Sequence, residues 1–132
     1  MGLDMYGYTM KAEFVGNRQT DVNVSEEERE EAALNHFAYW RKFNHLHGWM
    51  ENLYRQKGGK AEVFNCCTVR LELEDLDRLE SDLNEEKLEY TPGFFFGDDE
   101  IYPEDITETK TFIANARLAI AEGRAVFYDS WW

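Results

Sequence analysis

Proline is scarce in this chain: Pro92 and Pro103 are the two in 132 residues. Each proline removes a backbone donor and breaks regular structure, so long stretches are free to form helices and ladders. Cysteine is equally scarce, and Cys66 and Cys67 are adjacent. Neighbours on an extended chain point to opposite sides, which makes them a poor disulfide pair and a poor joint metal clamp. Two thiols without a framework fit a reducing compartment. No run of about 18 apolar residues occurs, so no transmembrane helix is expected. The start, Met1-Gly2-Leu3-Asp4, lacks the basic and apolar stretches of a secretory signal. Tyr6 stands where a myristoylation motif wants Ser or Thr. These absences predict a cytoplasmic protein.

Basic residues are also few. There are 14 Lys and Arg against 27 Asp and Glu, a net charge of −13. Direct binding to nucleic acid is disfavoured, because cationic side chains must replace the phosphate counterions. Anionic membrane surfaces are disfavoured for the same reason. A basic protein partner is compatible with this charge.

Aromatic residues are abundant, at 15% of the chain, and a disordered chain is poor in them. The length fits one domain spanning 1–132. Residues 4–15 alternate as a strand, with Tyr6, Tyr8, Met10, Ala12 and Phe14 on one face. Gly16-Asn17 ends it. Ser25 and Glu28 form a capping-box pattern that opens a helix, with a break near 35–38. Trp40, Phe43, His47, Met50 and Tyr54 follow helical spacing, which predicts a helix over about 38–57. Residues 62–71 read as a strand, and Leu73, Leu76, Leu79 and Leu83 stripe a helix over 73–86. Pro103 suits the first turn of another helix, which Gly123 ends. Residues 124–132 read as a last strand. The expected fold class is α+β: one small sheet, mixed or antiparallel, with about three helices packed on one face. The terminal pair Trp131-Trp132 stays dry only if that strand is tied into the sheet, so the first and last strands are expected to pair.

No nucleophile elbow, phosphate-cradling glycine loop or dinucleotide fingerprint appears. His45 and His47 would lie roughly 200° apart on a helix, a poor metal pair. The sequence therefore calls for no metal and no cofactor. On the predicted helix, Trp40, Asn44 and His47 share one face. That face is either a polar pocket floored by Trp40 or a satisfied internal network. Arg41 would meet an anionic ligand or a neighbouring carboxylate. His47 is the one residue offered as an acid–base catalyst, for a nucleotide-processing enzyme.

Acids cluster in two stretches. Residues 72–89 hold nine acids against Arg78 and Lys87, and residues 98–108 hold six and no base. Glu74, Asp75, Asp77, Asp98, Asp99, Glu100, Glu104 and Asp105 would form an acidic surface, either a DNA mimic directed at a nucleic-acid-binding defence protein or a solvated helix face.

Four motifs together resemble a family of small uncharacterised proteins of bacteriophages and bacterial genomes. They are Met1 to Tyr6; Tyr39, Trp40, Arg41, Lys42, Asn44 and His47; Gly93 to Gly97; and Ser130-Trp131. The acidic 25–37 segment and Glu72, in place of a Ser cap, depart from the family pattern. The resemblance implies a shared fold and a phage or prophage origin, hence the host cytoplasm, and no activity. The expectation is an accessory protein that binds and blocks a host component. A pocket of Tyr6, Tyr39, Trp40, Arg41, Asn44, His47, Phe95, Ser130 and Trp131 would take a host protein or a small planar ligand. Assembly as a homo-oligomer is the remaining role.

Overall fold

The computed structural model describes residues 2–93 and 95–132. Met1 and Phe94, each in one of the motifs above, lie outside the described residues. The fold is α+β. Among the described residues its four strands are β1 (Asp4–Lys11), β2 (Asn35–Arg41), β3 (Val69–Leu71) and β4 (Arg124–Trp131), in the antiparallel order β2-β1-β4-β3. The helices are α1 (Ala12–Val15), α2 (Arg29–Ala32), α3 (Asn44–Gln56), α4 (Leu73–Asn84) and α5 (Pro103–Ala121). Among the described residues no helix is long and apolar enough to cross a membrane.

The first and last strands pair along their whole length, from Asp4 opposite Trp131 to Lys11 opposite Arg124. The three long helices cover one face. Leu46, Met50 and Leu53 of α3, Leu76 and Leu79 of α4, and Phe112 and Ile113 of α5 pack there on Met5, Trp40, Leu71, Val126 and Tyr128. The other face is covered over part of its length. Val15 of α1, Ala32 of α2 and Val22 bury Tyr8, Met10, Ala125 and Phe127.

Three sequence expectations change. The predicted helix 38–57 begins at Asn44, and residues 35–41 form a strand. Ala33 ends α2 in a left-handed conformation (φ 51°), and the chain then runs extended beside β1. Pairing there satisfies the outer backbone of β1 and buries Ala38 and Trp40. That tertiary gain overrides a helical spacing that extended by chance to Trp40. The predicted strand 62–71 shrinks to Val69–Leu71, because Cys66 takes φ 60° and the chain turns to embrace the C-terminus. Asn65 accepts from the Trp132 backbone N–H and donates to its carbonyl, while the Trp132 indole donates to the Phe64 carbonyl. The first strand stops at Lys11, so Phe14 falls in α1.

Gly7 couples the sheet to α5. At the register shift after Gly7, Gly7 faces Ala38 and Tyr8 faces His36, leaving Phe37 as an extra residue. Such a bulge turns its side chain out of strict alternation. The Phe37 ring stacks on Phe112, 5.4 Å between centroids, and the edge of Phe112 sits over Gly7. A methyl at Gly7 would lie 2.7 Å from Phe112 Cε1 and 3.1 Å from the Ala38 methyl. Gly7→Ala is expected to lower stability by about 1–3 kcal/mol through this overpacking. Urea unfolding checks it. Phe112→Leu should relieve more than half of the loss, and an equal loss in both backgrounds would rule out the packing explanation.

Candidate functional site

The sheet divides the nine residues of the expected pocket. Trp40, Asn44, His47 and Ser130 lie on the helix-covered side and are buried. Tyr6, Tyr39, Arg41 and Trp131 lie on the opposite face. Phe95 is exposed on the loop between α4 and α5, in a left-handed conformation. No single pocket joins them, and the expected shared helix face does not exist, because Trp40 belongs to β2 and Asn44 opens α3.

The buried set is an internal network. The Trp40 indole donates to Thr109 Oγ1 (3.0 Å), whose hydroxyl donates to the Asp105 carbonyl (2.7 Å). Asn44 donates to the carbonyls of Phe96 and Asp98 and accepts from the Thr91 N–H at 2.9 Å. One side chain thus holds both ends of the 91–98 loop, and His45 Nε2 bonds the Asp99 carbonyl at 3.0 Å. His47 Nδ1 meets the Tyr128 hydroxyl at 2.6 Å, between the rings of Phe64 and Phe96. Burial lowers the His47 pKa to about 4 and raises that of Tyr128 well above its ordinary value. Both groups are therefore neutral near pH 7. At 1% exposure His47 has no route to an external substrate. Among the described residues no three His, Cys, Asp or Glu converge as a metal site.

The acidic set divides too. Asp75 is not part of an acidic surface. It is 5% exposed, pairs with Lys57 (2.6 Å) and Arg78 (2.8 Å), and accepts the Glu72 N–H. Burial would raise its pKa, but Lys57, the Glu72 N–H and Arg78 outweigh it and hold the carboxyl below its ordinary value. The Lys57 ammonium also donates to the Arg70 carbonyl and Gln19, tying α3, β3 and α4 together. Asp77 pairs with Arg117, and Asp105 is half-buried. Glu74, Asp98, Asp99, Glu100 and Glu104 remain exposed. Tyr102 donates to Asp98 within that group.

The uncovered sheet face is a grid of three rows. Alternation along the strands and the registers of β1 place its members. Arg41, Asp4 and Trp131 form the outer row; Tyr39, Tyr6 and Asp129 the middle row; His36, Tyr8 and Phe127 the inner row, where α1 and α2 begin their cover. Asp4 accepts from Tyr39 (2.5 Å) and Arg41 (2.7 Å), and the Tyr39 bond is the larger cause of its lowered pKa. Tyr6 lies 5.5 Å from Tyr39 and 5.8 Å from His36, ring to ring. Tyr39 is 48% exposed and Trp131 is 68% exposed. A shallow groove of about 650 Å³, lined by Tyr6, His36, Phe37, Ala38, Tyr39 and Glu108, continues the face around β2. β2 is the edge strand on that side.

Asp129 is the residue the sequence reading missed. Burial pushes its carboxyl up to about 6, and its Oδ1 is sealed from solvent with no hydrogen-bond partner among the described residues. Cys66, beside it, has its thiol pushed up by burial and by Asp129. An acid between aromatic residues on the last strand was the available signal, but alternation alone does not say which face is covered.

Comparison with protein-family models, with curated proteins and with solved structures gives no match.

Two pH effects of opposite sign follow. Between pH 3.8 and about 6 the folded chain binds more protons at Asp129 than the unfolded chain, so stability is lost as pH rises through that window. Asp129→Asn is expected to stabilise the protein at pH 7.5 by on the order of 1–3 kcal/mol, with the gain fading towards pH 4. His47 runs the other way. Its pKa falls from 6.5 to about 4, so its stabilising effect is lost as pH drops through that range. Denaturant midpoints over a pH series, parent against Asp129→Asn, measure the first effect, and NMR titration of the His47 imidazole measures the second.

Proposed function

We propose that this chain is a binding protein of the accessory kind, and that it occupies a protein of a host cell through the uncovered face of its sheet. A bacteriophage origin, which the motif resemblance implies, belongs to the same proposal. One observation carries it: beyond the cover of α1 and α2, the sheet leaves Tyr39 and Trp131 exposed on one face, with half-buried Tyr6 beside Tyr39. Large apolar residues scattered singly on a surface need no explanation, but a contiguous aromatic layer marks an interaction site. Tyr and Trp are also the side chains that carry most binding energy where partners meet. The layer is rigid, since β1 and β4 underlie it and Asp4 holds Tyr39 in place.

Burial and ion pairing argue against two of the other roles. His47, sealed beside Tyr128, is out of reach as an acid–base catalyst. Asp75 and Asp77 already face Lys57, Arg78 and Arg117, which weakens the acidic surface as a DNA mimic.

Tyr39→Ser with Trp131→Ser is the informative variant. Both side chains are exposed, so stability should change by less than about 1 kcal/mol. The variant should lose the host protein that the parent retains, and that retention should persist in about 0.5 M salt, where exposed charge pairs are screened. Asp98→Asn with Asp99→Asn and Glu100→Gln should bind as the parent does. Loss in the acidic variant alone would replace the aromatic face by charge mimicry.

A further inference from the structure

Asp129 sits in the middle row of the face, opposite Tyr6, with Phe127 and Trp131 two residues away on the same side of its own strand. Its Oδ1 has no hydrogen-bond partner among the described residues. The titratable and charged groups around it are Tyr6, Tyr8, Cys66 and Tyr128, with Asp4, Arg41 and His36 elsewhere on the face. The one cation among them, Arg41, is engaged by Asp4 at 2.7 Å. On a chain with 14 bases and 27 acids, a carboxylate held among rings without a donor is costly, and such a group calls for an explanation.

Resting on the reading of this face as a binding surface, we infer that Asp129 is the anchor for an arginine side chain of a basic protein partner. The chemistry of the face selects that group. A guanidinium plate stacks on aromatic faces while its edge donates to a carboxylate, which a lysine ammonium does less well. Asp129 is partly exposed, so a donor arriving from solvent can reach its carboxyl. Tyr6, opposite it on β1, and Trp131, two residues on along β4, are rings that the register places beside it. The net charge of −13 attracts a basic partner to the surface before contact. An arginine arriving there would also hold the carboxyl ionised, reversing the upward shift that burial imposes.

The test is an NMR titration of the full chain with N-acetyl-arginine N-methylamide, alongside its neutral citrulline counterpart, at pH 7.5. Saturable shifts are expected at the Trp131 indole N–H and at the amides of Tyr6 and Ser130. The citrulline compound should give none. Asp129→Asn should weaken the arginine compound at least tenfold while keeping the parent's amide pattern, and Trp131→Ser should weaken it several-fold. Lowering the pH from 7.5 to 5 should weaken binding to the parent. Equal binding by the Asp129→Asn variant, or equal binding of citrulline, overturns the anchor. Adenine shifting the same resonances while arginine does not would also overturn it, in favour of a planar ligand. If Tyr39→Ser with Trp131→Ser loses the host protein and Asp129→Asn keeps it, the anchor fails and the face stands. If neither variant loses it, both fail.

Discussion

The pairing of β1 with β4 is the constraint on which the rest of the molecule depends. It joins the first and last strands over eight residue pairs, and both lie in the centre of the sheet. Long-range pairing of this kind closes nearly the whole chain as one loop, at an entropic cost that local contacts do not repay. Repayment comes from burial. Met5, Val126 and Tyr128 meet α3 and α5 on one side, while Tyr8 and Phe127 stack at 5.6 Å on the other. Trp132 closes the end by docking on the Phe96 ring, the Phe64 carbonyl and the Asn65 side chain.

The two faces of this sheet perform different work. On the covered side polar groups serve the fold. Asn44, His45 and His47 hold the 91–99 loop and the last strand against α3. Such side-chain bonds replace secondary structure for a loop whose backbone groups need partners. On the other side α1, α2 and the segment between them stop short, and rings stand in solvent beside one carboxyl without a donor. The exposed rings and the acid with an unpartnered oxygen coincide in one patch, and the binding proposal rests on that coincidence.

Much of the fold was legible in the residues. The leucine stripe of 73–86, the proline start at 103 and the glycine stop at 123 each express a local rule of helix geometry, and α4 and α5 fall on them. Alternation located β1 and β4, and the terminal tryptophans implied their pairing. The capping-box pattern at Ser25 forms, with Glu28 and Ser25 bonded both ways, but the helix after it lasts four residues. Trp131 did not share the burial expected for the terminal pair, since alternation sends it to the uncovered face while Trp132 turns in.

The candidate site was legible only in part. Tyr6, Tyr39, Arg41 and Trp131 belong together, whereas Trp40, Asn44, His47 and Ser130 belong to the opposite side of the sheet. Sequence alone determined the helices with strong apolar stripes, the α+β class and the strand pairing of the two ends, because each follows from short-range periodicity or from the burial needs of large side chains. Tertiary structure decided that 35–41 is a strand, that Asp129 has no partner, and which face is left open. Those outcomes depend on what arrives from distant parts of the chain to cover a surface, and no local pattern carries that information.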